Sequence, residues 1–84
     1  MKDTLDQKYL EKKIERILKD LPNDYALVIR LKYKEGYKVA EIARKIRLST
    51  KATESLLFRA RKAFIVTYEA YERQNLFSIK ETFR

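Results

Sequence analysis

The 84-residue chain contains no cysteine and no histidine, and only one glycine and one proline. Without cysteine there are no disulfides, nucleophilic thiols or soft metal ligands, and without histidine there is no imidazole base. These absences fit a reducing compartment, and no cofactor or metal is expected. With so few turn formers there is little room for hairpins, which favours an all-α fold. No apolar run approaches the roughly 20 residues that span a bilayer. The opening MKDTLDQ also lacks the charged-then-apolar layout of a secretory signal. A soluble, cytoplasmic protein with no membrane partner is expected.

What is present suits an amphipathic helical protein, with 45% apolar and 38% charged residues. The length accommodates one small domain, 1–84, near the size where a single core supplies only a few kcal/mol of net stability. Net charge is +8, and its position is more informative than its size. Residues 38–64 hold eight basic and two acidic side chains, so +6 of the excess lies on one stretch. A solvated basic face is the plain reading of a charge run. Concentration on a single motif favours a polyanion partner.

The pattern predicts four to five helices. Asp3 or Thr4 can cap the first, and Thr4 with Gln7 has the spacing of a capping box. Leu10, Ile14, Ile17, Leu18 and Leu21 form its apolar face, with Lys12, Lys13, Glu15, Arg16 and Lys19 on the other. Pro22 stops it near Asp20 and opens a second helix, Pro22 to Lys34, with Asn23 and Asp24 near its positive end. The run Tyr25, Ala26, Leu27, Val28, Ile29 and Leu31 is apolar nearly all round, so it is buried on more than one side or meets a partner. Gly36 suits a left-handed helix end. Tyr37 against Ile42 would staple the next start, where Lys38 is a poor N-cap.

Residues 38–64 read as a helix-turn-helix. The third helix, Val39 to Ile46, turns Ile42, Ala43 and Ile46 inward and Glu41, Arg44 and Lys45 outward. Arg47 and Leu48 form the turn, and Ser49 caps the fourth helix. There Thr53, Leu57, Ala60 and Phe64 make the inward stripe, with Leu56 half-buried at its edge. Lys51, Glu54, Ser55, Phe58, Arg61 and Lys62 point elsewhere. Residues 65–84 form a helical tail that extends the fourth helix to about Gln74 or Asn75. The apolar Leu76, Phe77, Ile79 and Phe83 then fold back on the core, or else meet a partner or a second copy.

Several of these residues carry a family likeness. Leu21 and Pro22, the apolar helix ending at Glu35 and Gly36, Glu41-Ile42-Ala43, Ser49 and the run ESLLFRARKAF from Glu54 to Phe64 resemble region 4 of bacterial sigma factors. The extracytoplasmic-function group is the most similar. The likeness covers about Ile14 to Phe64. It implies a domain that binds double-stranded promoter DNA at the minus-35 element through the fourth helix. It also implies that the first helices dock on the flap of the RNA polymerase beta subunit, with an anti-sigma factor as a further partner.

Carried over position by position, Ser55, Phe58 and Arg59 match DNA-facing residues, and Arg61 and Lys62 match the basic continuation. Glu54 and Leu56 stand where the motif is usually basic, so Glu54 is expected to accept from a cytosine amino group or to orient an arginine. Arg47 replaces a glycine common in the turn, which implies strain or a phosphate contact. The expected interface therefore comprises Lys38, Arg44, Arg47, Ser49, Thr50, Lys51, Glu54, Ser55, Phe58, Arg59 and Lys62. Nothing matches the upstream region 2 of such factors, so the chain reads as either an excised C-terminal domain or a natural stand-alone subunit. Two rivals remain: an interaction module bound by a regulator without DNA readout, and a stand-alone dimeric helix-turn-helix regulator. Scattered carboxylates without a paired acid or base argue against an enzyme.

Overall fold

The structure, a computed structural model, describes the backbone of residues 3–82 and the side chains of residues 8–74. The expected capping box of Thr4 and Gln7 and the side chains of Leu76, Phe77, Ile79 and Phe83 lie outside these. Among the described residues there are four helices and no strand: α1 (Asp3–Lys19), α2 (Asn23–Ile29), α3 (Val39–Ile46) and α4 (Thr50–Thr82).

The end of α1 tightens, with Asp20 donating to the Ile17 carbonyl at 3.0 Å and Leu21 to that of Leu18 at 3.1 Å. Pro22 then takes an extended ψ of 148° and caps α2. Its fixed φ and missing N–H suit a helix entrance. The second helix is not α-helical throughout: Arg30–Lys34 form a wider π-helical turn, closed by the Glu35 N–H on the Arg30 carbonyl at 2.9 Å. Gly36, at φ 80°, ends it, and the Tyr37 N–H reaches back to the Leu31 carbonyl at 3.0 Å. This is the long return bond of a left-handed helix terminus.

One core lies where α2 and α3 pack on α4. Leu18, Leu21, Val28, Ile29, Ile42, Leu56, Leu57 and Ala60 form it, with Tyr25, Leu31, Tyr37, Ile46 and Phe64 packed around. Ile17, Ile42, Leu57 and Thr53 are fully buried. Thr53 satisfies its hydroxyl by donating to the Ser49 carbonyl at 2.9 Å. Three placements differ from the sequence reading. Leu56 is buried rather than half-buried, at 7% exposure, because two helices cover α4 and widen its apolar arc. Leu10 and Leu27 are exposed, since neither faces a neighbouring helix.

The expected break at Gln74 or Asn75 is also absent, and α4 runs on as one helix to Thr82. Residues 68–72 of this extension return to α1 without a bend. Tyr71 donates its hydroxyl to Asp20 at 3.0 Å, and Lys13 pairs with Glu72. Lys13 also lies over the Tyr68 ring at 4.8 Å, and Arg16 over that of Tyr71 at 5.9 Å. The charged flank of α1 is thereby used within the chain.

Candidate nucleic-acid interface

The site is built by α3, its turn and the first half of α4. Lys38 has no acceptor to cap α3, but Glu41 reaches back and accepts the Lys38 backbone N–H at 2.8 Å, forming one half of a capping box. Glu41 therefore turns towards the helix start rather than outward. Lys45 stands 4.6 Å over the Tyr37 ring, and Tyr37 packs on the core that contains Ile42. Together these contacts fix the entry to α3.

The turn is closed by Arg47 in the left-handed region, at φ 62° and ψ 41°. Its N–H and that of Leu48 both return to the Ala43 carbonyl, the latter at 3.0 Å. Ser49 then accepts the Ala52 N–H at 3.0 Å, so α4 begins with a side-chain cap. The Ser49 oxygen is occupied in this way, and its hydroxyl hydrogen remains free to donate.

All eleven residues expected at the interface are exposed: Lys38, Arg44, Arg47, Ser49, Thr50, Lys51, Glu54, Ser55, Phe58, Arg59 and Lys62. At about 100° per residue, Lys51, Ser55, Phe58 and Lys62 fall within about 60° of one another, opposite the buried Thr53, Leu56, Leu57 and Ala60. Glu54 borders this strip on one side and Arg59 on the other. Phe58 is 58% exposed, with the Lys62 ammonium 5.6 Å from its ring centre. An aromatic ring standing in solvent on a basic strip offers an apolar contact for a base methyl or a sugar.

Two expectations at this face change. Glu54 holds no arginine: among the described residues its carboxylate makes no ion pair, and Arg59 instead folds back towards the Ser55 carbonyl, with Nε at 3.4 Å. Arg61 does not continue the basic strip, since its Nη1 donates to the Tyr33 hydroxyl at 2.8 Å on the flank facing the π-helical turn. Tyr33 was invisible to periodicity because its partner lies 28 positions away in sequence.

A second feature lies on the far side of Tyr33. Glu11, Ile14, Glu15, Leu18, Ile29, Arg30, Tyr33 and Lys34 line an open groove of about 320 Å³ between α1 and the π-helical turn. Its floor is apolar and its rim ordered, as Glu15 accepts from Arg30 at 2.8 Å and from Lys34 at 3.1 Å. The Arg30 and Lys34 hydrogen bonds hold the Glu15 carboxyl below the usual glutamate range. Among the described residues, no group of acidic side chains is arranged to hold a metal ion, and no helix is long and apolar enough to cross a membrane.

Comparison with known proteins agrees with this geometry. The family model described as sigma-70, region 4 matches residues 11–64, which spans α1 from Glu11, α2, α3 and the first half of α4. No curated protein and no solved structure matched the chain. This is a family of transcription-factor domains rather than of enzymes. With a capped helix-turn-helix, a basic strip opposite the core and a family match over well over half its length, the chain belongs to the sigma-70 region 4 family.

Proposed function

We propose that the protein acts in transcription initiation by reading the minus-35 promoter element with α4 while docking on RNA polymerase. The observation that carries this reading is the strip of Lys51, Ser55, Phe58 and Lys62, exposed on the face of α4 that faces away from the core. A major groove admits a helix and distinguishes all four base pairs, whereas phosphate contacts set register without reading sequence. In this arrangement Glu54, Ser55, Phe58 and Arg59 choose bases. Lys38, Arg44, Arg47, Lys51 and Lys62 hold phosphates on either side, with Ser49 and Thr50 at the helix entrance, where backbone N–H groups favour an anion.

The groove between α1 and the π-helical turn supports the second half of the proposal. Ile14, Leu18, Ile29 and the ring of Tyr33 give it the apolar floor that takes the face of an amphipathic helix. The occupant proposed is a segment of the polymerase beta-subunit flap, and an anti-sigma factor would compete for the same surface. Tethering to polymerase compensates for weak binding by one small domain. The cytoplasm is the compartment this role requires.

Replacing both Arg59 and Lys62 by alanine tests the reading. Both are exposed, so the fold is retained, and promoter binding should fall by about 10²-fold or more at two charged contacts of about 1–3 kcal/mol each. A protein complex formed through the groove should be unaffected. Unchanged DNA binding would favour the alternative of an interaction module without DNA readout.

A further inference from the structure

Tyr33 is the one described side chain that both lines the groove and bonds to the DNA-reading helix. It is 60% exposed, so its position is not fixed by burial. Its backbone belongs to the π-helical turn, a wide and less regular helical form that recurs at functional sites. Arg61, on the other end of the bond, has no carboxylate partner among the described residues. Its formal charge is held by a neutral hydroxyl alone. Arg61 sits about 60° around α4 from Phe58, at the edge of the strip proposed to meet DNA. A guanidinium there has two possible acceptors, the Tyr33 hydroxyl or a phosphate flanking the groove. The second is much the stronger, because it is charged and can be bidentate.

We infer that Arg61 is a further phosphate-binding residue whose availability Tyr33 controls, so that filling the groove raises affinity for DNA. This rests on the function proposed above and concerns the regulation of the same two surfaces. The polymerase flap segment proposed above, lying beside half-buried Ile14 and over the buried Leu18 and Ile29, must share the groove with the Tyr33 ring and displaces it. Arg61 then loses its hydroxyl acceptor and turns to the nearest phosphate. Coupling of this kind is reciprocal, so bound DNA raises affinity for the groove's occupant by the same factor. Its size is bounded by one hydrogen bond exchanged for one phosphate contact, about threefold to tenfold.

The test needs no groove partner, because Tyr33→Phe removes the hydroxyl while keeping the ring. A random-sequence duplex is the probe, since phosphate contacts are independent of sequence. The 84-residue chain and the variants Tyr33→Phe, Arg61→Ala and the double variant are titrated across salt concentrations, with circular dichroism reporting the fold of each. Tyr33→Phe is expected to bind about threefold to tenfold more tightly at low salt, with a log–log salt slope steeper by about 0.9. Arg61→Ala should cancel that gain in the double variant and weaken the unaltered chain by less than it weakens Tyr33→Phe. Equal or weaker binding by folded Tyr33→Phe would overturn the inference while leaving the proposed function standing. So would an equal loss from Arg61→Ala in both backgrounds. Failure of the unaltered chain to bind the duplex would overturn both.

Discussion

Arg47 occupies a left-handed conformation that costs an L-residue about 1–2 kcal/mol, while Gly36 adopts a similar φ without that cost. The Arg47 side chain is exposed beside the basic strip, where the proposed complex would place a phosphate. Arg47→Gly should raise stability by about 0.5–1 kcal/mol in urea unfolding, because relief of strain is partly offset by the greater freedom of an unfolded glycine. The same variant should bind DNA less tightly, with the salt slope reduced by about one unit. A destabilised Arg47→Gly would contradict the strain. Much at this scale was legible. The Ser49 cap follows from residue type, and strain at Arg47 follows from the family likeness, in which a glycine is common there; its left-handed backbone is seen only in the structure. The Tyr33 bond to Arg61 and the Glu15 bonds to Arg30 and Lys34 were not, since side chains distant in sequence meet only after the helices pack.

Glu15 adds a pH dependence at the same scale. Its carboxyl is held below the usual glutamate range by Arg30 and Lys34, so the folded state favours the ionised form. The stabilisation is complete above the ordinary glutamate pKa and is lost as the pH falls through the lowered folded value. Glu15→Gln should cost up to about 1 kcal/mol at pH 7 and become indistinguishable from the unaltered chain in strong acid. Denaturant midpoints measured at both pH values check this. A difference that persisted in acid would point to packing rather than charge.

At the scale of elements, α4 combines two roles along one axis. Its first half buries Thr53, Leu56, Leu57 and Ala60 and presents the basic strip on the opposite side. Leu57→Ala should cost about 2–5 kcal/mol, enough to unfold much of a domain this small. Beyond Phe64, where the family match ends, the helix carries Tyr68, Tyr71 and Glu72 onto Lys13 and Arg16 of α1 and onto Asp20 just after it. Replacing both Tyr68 and Tyr71 by alanine removes two cation–ring contacts and one hydrogen bond. It should lower thermal stability by about 1–3 kcal/mol while leaving the strip of α4 intact. Loss of DNA binding in the folded double variant would show that the extension shapes the reading face as well.

The helices themselves were readable because apolar spacing, Pro22, Gly36 and Ser49 all act locally. The bounds of α3 and the inward stripe of α4 follow the 3.6-residue period. The length of α4 was not readable: Gln74 and Asn75 weaken a helix without breaking it, and the contacts that anchor its preceding turns lie on α1. The π-helical turn has no periodic signature, so Arg30–Lys34 reads from sequence as ordinary α-helix.

Across the whole molecule, +6 of the net +8 charge falls on residues 38–64, while α1 and the extension of α4 use charges of both signs to hold each other. Excess positive charge on one face and balanced charge elsewhere divide the surface into a part suited to a polyanion and a part suited to protein. In the proposed complex the exposed cations Lys38, Arg44, Arg47, Lys51 and Lys62 would set how many phosphates are neutralised. The most direct measurement is the affinity of the 84-residue chain for double-stranded DNA as a function of salt. With about five to seven phosphates neutralised, log affinity should fall against log salt with a slope of about −4.5 to −6, and replacing Lys51 and Lys62 by glutamine should make it shallower by about two units. A flat salt dependence, or an unchanged slope in that variant, would contradict DNA reading by α4.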